Sequence, residues 1–335
     1  MTSITVRKPD DFHNHLRQGE MMTHLVKETA KVFARTNVMP NTLPPIRNAE
    51  DLTKYHEELK AVGTDLEFLM TFKVMPETSP EMIPALKAAG AVAGKLYPLG
   101  VTTHSEDGVA DIEALFPTFQ AMLEEDLVLC LHGEVPGEDA LKREEAFLPK
   151  LQAIHKNFPQ LRIVLEHASS KAAVEAVKSM GDSISASVTV HHLVLTIEDV
   201  QDSAGSIHHP HHLCMPICKT DADRKALQEV VFSGHHKFFL GTDSAPHSRE
   251  KKEAGHPPAG IYTTPVALPV LTELFEEAGK LDQLEAFTSQ FGADFYQIPL
   301  NDSQIELVKE SWIVSEEMFG VVPFRAGEQL SWKIS

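Results

Sequence analysis

Short apolar runs recur along the chain, and stretches with helical periodicity fall between them. "KVFARTNVM", "LEFLMTFKV", "LVLCLHG", "LRIVLEHAS" and "KFFLGTD" are the clearest of the apolar runs. With the weaker ones they predict strands ending near Phe12, Val38, Val74, Leu96, Leu131, Glu166, Val190 and Leu240. "SPEMIPALKAAG", "DIEALFPTFQAMLEED" and "SKAAVEAVKSMG" repeat apolar residues at roughly 3.6-residue spacing and carry helix-start signals such as Ser79-Pro80 and Asp111. Strands alternating with helices predict a parallel sheet with helical crossovers. Eight such units predict an α/β fold, a (β/α)8 TIM barrel spanning residues 1–335 as a single domain, with a doubly wound sheet as the alternative. "KEAGHPPAGIYTTP" reads as a long ordered loop. The chain from about Leu281 reads as helix followed by irregular structure.

Side chains alternate faces along a strand, so residues i and i+2 point the same way. His13 and His15 in "DFHNHLRQG" therefore share a face, with Asn14 turned away. In the same way Val128, Cys130 and His132 share a face, as do Leu161, Ile163, Leu165 and His167, and Phe239, Gly241 and Asp243. Each set ends in a polar residue at the C-terminal end of its strand, the end that carries the catalytic groups of a barrel. One mouth thus gathers His13, His15, His132, His167 and Asp243, while this register sends Glu166 outward toward the helices. In "AVAGKLYP", Ala91, Ala93 and Lys95 share a face. Lys95 either snorkels to the rim or is neutral, or carboxylated to a carbamate that bridges two cations. A bare HxH in a chain with 18 histidines is weak evidence for metal. The ordered set of HxH on the first strand, His on the fifth and sixth and Asp on the eighth is specific.

Charge narrows the partners. With 30 basic against 48 acidic residues the net charge is -18, which disfavours nucleic acid and anionic membranes but leaves room for a small anionic substrate in a locally positive site. Three cysteines, Cys130, Cys214 and Cys218, are too few to staple 335 residues and fit a reducing compartment. Cys214 and Cys218 lie among histidines, so a small zinc site is conceivable, but without a CxxC pair two free thiols are the expectation. "MTSITVRKPDD" lacks a signal pattern and no apolar run is long enough to span a bilayer, so a cytoplasmic protein is expected.

The strand-end pattern is that of the amidohydrolase superfamily. "DFHNHLR" and "GTDSAPHSREKK" resemble the two signatures of the dihydroorotase family. "VMPN", "GKLYP", "LHGEV", "LEHASS", "MPICK" and "LEAFTSQFGADFY" are similar to its short, single-function bacterial type. The resemblance covers nearly the whole chain. Asn14 departs from it, since the family usually has an aliphatic residue there, and the His-rich "SIHHPHHLCMP" is unusual and reads as a solvated loop. Only twelve residues precede His13, leaving no room for the additional β-rich segment that hydantoinases and longer dihydroorotases carry ahead of their HxH.

The resemblance implies two zinc ions per subunit. His13, His15 and Asp243 would hold the more buried one and His132 and His167 the other. Carboxylated Lys95 and a hydroxide would bridge both. It implies interconversion of dihydroorotate and N-carbamoyl-L-aspartate, with Asp243 as the catalytic proton carrier. Arg17, Asn41 and His247 would hold the substrate carboxylate. Thr102 and Thr103, in a lid after Lys95, would bond the substrate on closure, and Met215 and Ala259 would offer backbone groups to the pyrimidine edge. It also implies a homodimer. Read on its own, Arg17 could be a surface arginine, Asn41 a turn residue, and His247 and the two threonines ordinary loop residues. A hydantoinase or allantoinase, a non-catalytic protein on the same fold and a one-metal deaminase are the competing readings. Arg17, Asn41 and His247 speak against the first, the complete ligand set against the second and Lys95 against the third.

Overall fold

The computed structural model describes residues 2–100 and 107–335. A short strand β1 (Ser3–Arg7) precedes eight parallel strands, β2 (Asp10–Asn14), β3 (Arg35–Val38), β4 (Glu67–Val74), β5 (Ala91–Leu96), β6 (Val128–His132), β7 (Ile163–Glu166), β8 (Ile184–Val188) and β9 (Phe238–Leu240). Each pairs with the next in sequence, and every one ends within two residues of its expected position. Helices cross between them, among them Gly19–Val32, Arg143–Asn157 and Asp221–Phe232. Their starts obey local chemistry: Ser170 and Asn48 accept backbone N–H bonds as caps, and Thr220 with Asp223 forms a capping box.

The ring closes where β9 runs into β2. Asp243 N donates to His13 O at 2.8 Å, and His15 N donates to Ser244 O at 3.0 Å. This closure sits at the C-terminal rim, so the bonds that complete the barrel also bring Asp243 against His13 and His15.

Both faces of a parallel sheet are buried, which is why its strands read as apolar runs. An outer layer packs Val26, Leu52, Met70, Leu129 and Leu165 between sheet and helices. Inside the barrel lie Phe12, Leu69, Ala93, Val128, Cys130, Val164 and Phe239. Tyr296, from the helix Phe291–Tyr296, stacks on Phe12 at 4.8 Å and seals this inner cluster. Polar groups therefore collect at the other end.

The C-terminal region departs from the expectation of irregular chain. Strands β10 (Gln304–Ile313) and β11 (Gln329–Ile334) pair antiparallel, and β10 also pairs with β1. In β10 the buried Ile305 and Leu307 alternate with exposed Gln304 and Glu306, a two-residue period that the sequence displays in "QIEL". A small β-sheet thus does accompany the barrel, built from both ends of the chain. Among the described residues no helix is long and apolar enough to cross a membrane.

Candidate active site at the barrel mouth

His13, His15 and Asp243 form the tightest group. Nε2 of His13 and Nε2 of His15 lie 3.3 and 3.1 Å from the same oxygen, Oδ1 of Asp243. The other ring nitrogens are fixed. Nδ1 of His13 donates to Oε2 of Glu166 at 2.6 Å, and Nδ1 of His15 donates to Oδ1 of Asn41 at 2.7 Å. Protons on both Nδ1 atoms leave both Nε2 lone pairs aimed at one point, the arrangement that outer partners impose on metal-binding histidines. With the imidazoles protonated instead, His13 and His15 outweigh the burial that raises the Asp243 carboxyl and hold it well below the usual range.

His132 and His167 stand beside this group, with ring centroids 4.7 Å apart and His167 5.1 Å from His13. Nε2 of His132 is held by Oε2 of Glu134 at 2.7 Å, which presents Nδ1 as its ligand atom. Nδ1 of His167 is buried without a hydrogen-bond partner, and so is Nζ of Lys95. Burial lowers the lysine's pKa from its ordinary value and holds that of His167 well below the usual range. The Lys95 ammonium position lies 5.3 Å from the Tyr97 ring centre. Two buried, orphaned polar atoms, beside three histidines whose protons are turned away, suit a cation site. The residues fit a metal centre.

The register of β7 corrects the expected one. Ile163 and Leu165 belong to the outer layer and Val164 to the barrel interior, so Glu166 points inward rather than toward the helices. His167 reaches the mouth because its backbone turns into the left-handed region at φ 43°, and Asp243 does the same at φ 46°. Ala91 likewise lies in the outer layer, since the β4–β5 pairing shifts before Ala93. On β2 the pairing shifts between Asp11 and Asn14, which lets Phe12 enter the interior while His13 and His15 still converge. Gly241 makes room for them. A Cβ there would stand 2.8 Å from Cβ of Ser187 and 3.0 Å from Cβ of His13.

One cavity is lined by His13, His15, His132, His167 and Asp243 together with Arg17, Asn41, Met215 and Ala259. Arg17 is half-buried, its Nε donating to Pro246 O at 3.0 Å. Burial lowers its pKa to about 10, which leaves it cationic at neutral pH. His247 adjoins it, with Nε2 3.2 Å from Nη2 of Arg17 and 2.9 Å from Ala259 O. Burial and the guanidinium hold His247 far below the usual imidazole range, so it is neutral. Asn41 gives its oxygen to His15. Thr102 and Thr103 lie outside the described residues. Within the His-rich stretch, His208 and His212 are tied to backbone, at Glu198 O and Asp199 O, both at 3.0 Å.

Sequence reasoning missed Glu134, Glu166 and Tyr97. Glu134 and Tyr97 each follow a ligand by two residues, and that spacing could have found them. Glu166 could not be found once the strand's register was misjudged.

A parallel barrel with four histidines, a lysine and an aspartate converging at its C-terminal mouth defines a metal-dependent amidohydrolase. No protein-family model matches the sequence. A dihydroorotase of Aliivibrio salmonicida is 44% identical over 344 aligned positions, covering all of both chains. The crystal structure of dihydroorotase from Saccharomyces cerevisiae, in complex with 5-fluoroorotic acid, superimposes with a TM-score of 0.92 at 34% identity, covering 100% of this chain and 99% of that one. That of Campylobacter jejuni does so with a TM-score of 0.91 at 33% identity, covering 99% and 97%. The chain belongs to the dihydroorotase family.

Proposed function

We infer that the chain interconverts (S)-dihydroorotate and water with N-carbamoyl-L-aspartate, the ring-opening and ring-closing step of de novo pyrimidine (UMP) biosynthesis. Full-length membership of the dihydroorotase family supports the substrate. The observation that carries the chemistry is the convergence of two histidine Nε2 atoms on Oδ1 of Asp243, beside a buried Lys95 amine that bonds nothing.

The residues that would hold metal are His13, His15 and Asp243 for one zinc ion, His132 and His167 for a second, and Lys95, carboxylated on Nζ, between them. Bound there, such ions would supply Lewis acidity to the scissile amide carbonyl and an activated water as nucleophile.

The chain's own groups do the rest. Asp243, ionised at neutral pH, accepts the proton released as oxygen adds to the carbonyl. It returns that proton to the departing ring nitrogen, and the steps run backward in ring closure. Arg17 grips the substrate carboxylate with its planar fork, and the Asn41 amide N–H donates to it. Neutral His247 meets Arg17 through Nε2 and borders the carboxylate without adding charge. The backbone of Met215 and Ala259 borders the ring edge. A homodimer and a cytoplasmic location are parts of the same reading. Family membership supports both, and three unpaired, buried cysteines support the location. The pairing of β1 with β10 supports residues 1–335 acting as one domain.

The deciding experiment is turnover of dihydroorotate and of hydantoin, side by side, on protein purified with zinc. Metal-dependent turnover of dihydroorotate alone is expected. Preference for hydantoin would reassign the substrate, and no turnover of either with metal bound would favour a non-catalytic role.

A further inference from the structure

The chain after β8 buries a second set of ligand side chains away from the mouth. The short helix Val190–Val194, capped by Thr189, carries His191 and His192, and a later segment carries Cys214 and Cys218. Relative exposure is 0%, 2%, 1% and 0% for these four residues. The ligand atoms of His191, His192 and Cys214 all lie within 4.8 Å of one another. Sγ of Cys214 is 3.9 Å from Nε2 of His192 and 3.7 Å from Sγ of Cys218. Two thiolates on a tetrahedral zinc stand about 3.7 Å apart, given Zn–S bonds of about 2.3 Å.

A second observation points the same way. Both ring nitrogens of His191 are buried with no hydrogen-bond partner. A neutral imidazole has one donor and one acceptor to satisfy, and a native core rarely leaves both unmet. His192 is tied by Nδ1 to Thr189 Oγ1 and by Nε2 to Pro216 O, each at 2.9 Å. The Cys214 thiol donates to the same Pro216 O at 3.2 Å. Moving the His192 proton to Nδ1 keeps a bond to the threonine hydroxyl and frees the Nε2 lone pair to leave Pro216 O for a cation, the outer-partner pattern of a ligating histidine.

We propose that His191, His192, Cys214 and Cys218 bind one thiophilic divalent cation, of the zinc class, as a closed structural site distinct from the catalytic centre. Two thiolates and two neutral imidazoles around a dication carry no net charge, which suits full burial. Loading releases two thiol protons as the cation enters. Without a cation, the hydrogen bond with Cys218 and burial push the Cys214 thiol up to about 11. The site would fasten the strip from Leu213 to Cys218. Met215, within that strip, lines the substrate cavity, and Leu213 O accepts from Gly260 N at 2.8 Å.

Cobalt(II) distinguishes this site from the mouth, because none of the six mouth ligands is a cysteine. Wild-type protein loaded with cobalt should show sulfur-to-cobalt charge-transfer absorption in the near ultraviolet. The Cys214→Ser/Cys218→Ser double variant should lose that absorption and one equivalent of metal per chain, and His191→Gln should weaken retention of that equivalent against a chelator. Three results overturn the proposal: no such absorption in cobalt-loaded wild type with its thiols titrated as reduced, equal metal content in wild type and double variant, or a Cys214–Cys218 disulfide in protein kept from oxidants. The wild-type spectrum decides alone if the variants fail to fold, and none of these readouts depends on activity.

Discussion

Oε2 of Glu166 accepts from Nδ1 of His13 and from Oγ of Ser187, both at 2.6 Å. Burial raises the Glu166 carboxyl, but Lys95 and His13 together pull it down to about 2, so it faces His13 as an anion. It fixes the imidazole's tautomer and increases its basicity without standing at the reacting atoms. Glu166→Gln keeps the shape and removes the charge. Affinity for the metal held by His13 should fall about 10- to 100-fold, read by competition with a chelator, while KM changes little once metal is saturating. A variant that holds metal as tightly as wild type would show that His13 needs no such partner.

Lys95 is the residue whose function depends most on what is attached to it. Its amine is buried, bonds nothing and has its pKa lowered by burial, so a neutral nucleophilic form is accessible to CO2. Lys95→Ala should lose bridged metal and turnover together. Short carboxylic acids added to the variant should restore part of the activity by standing in for the carbamate. Two tightly bound metals with full turnover in Lys95→Ala would end the carbamate assignment.

These two residues mark where the sequence was and was not legible. Strand ends, the HxH pair and Lys95 follow from apolar runs and two-residue alternation, which depend on local chain geometry. Glu166 was hidden because alternation was carried one residue too far. His167 leaves its strand through left-handed backbone, and a strict period then assigns the wrong face to what precedes it. The weaker alternation of β10 was overlooked, since its partners β1 and β11 come from opposite ends of the chain. Asn41 was seen as a substrate contact, but its oxygen also orients His15, a relation that exists only once β2 and β3 are side by side.

Arg17 offers a cleaner test of the substrate side. Nε is already committed to Pro246 O, and Tyr55 holds its backbone carbonyl, so the guanidinium is aimed before substrate arrives. Arg17→Lys replaces a bidentate fork by a point charge. The loss of one charge-assisted hydrogen bond, roughly 1.5–3 kcal/mol, should raise KM by about tenfold or more, with kcat reduced far less. Steady-state kinetics with dihydroorotate checks this, and unchanged saturation would remove Arg17 from the site.

Lys252 gives a prediction in pH. Its Nζ donates to Leu213 O, Pro258 O and Gly260 O at 3.2, 2.9 and 2.8 Å, binding together the two loops that carry Met215 and Ala259. Burial lowers its pKa from 10.5 to about 8. Below pH 8 both folded and unfolded chains hold the proton, and the cost of the buried ammonium is present in full. Between about 8 and 10.5 the unfolded chain binds a proton that the folded chain has released, so stability rises with pH over that window. The gain is on the order of 3 kcal/mol when complete. Urea unfolding of wild type and Lys252→Met, in chelator so that no cation near Cys214 alters the balance, should therefore give a stability difference that shifts in favour of wild type from pH 8 to pH 10. A difference that stays flat or moves the other way would mean that Lys252 keeps its ordinary pKa and that its three carbonyl bonds fully offset its burial.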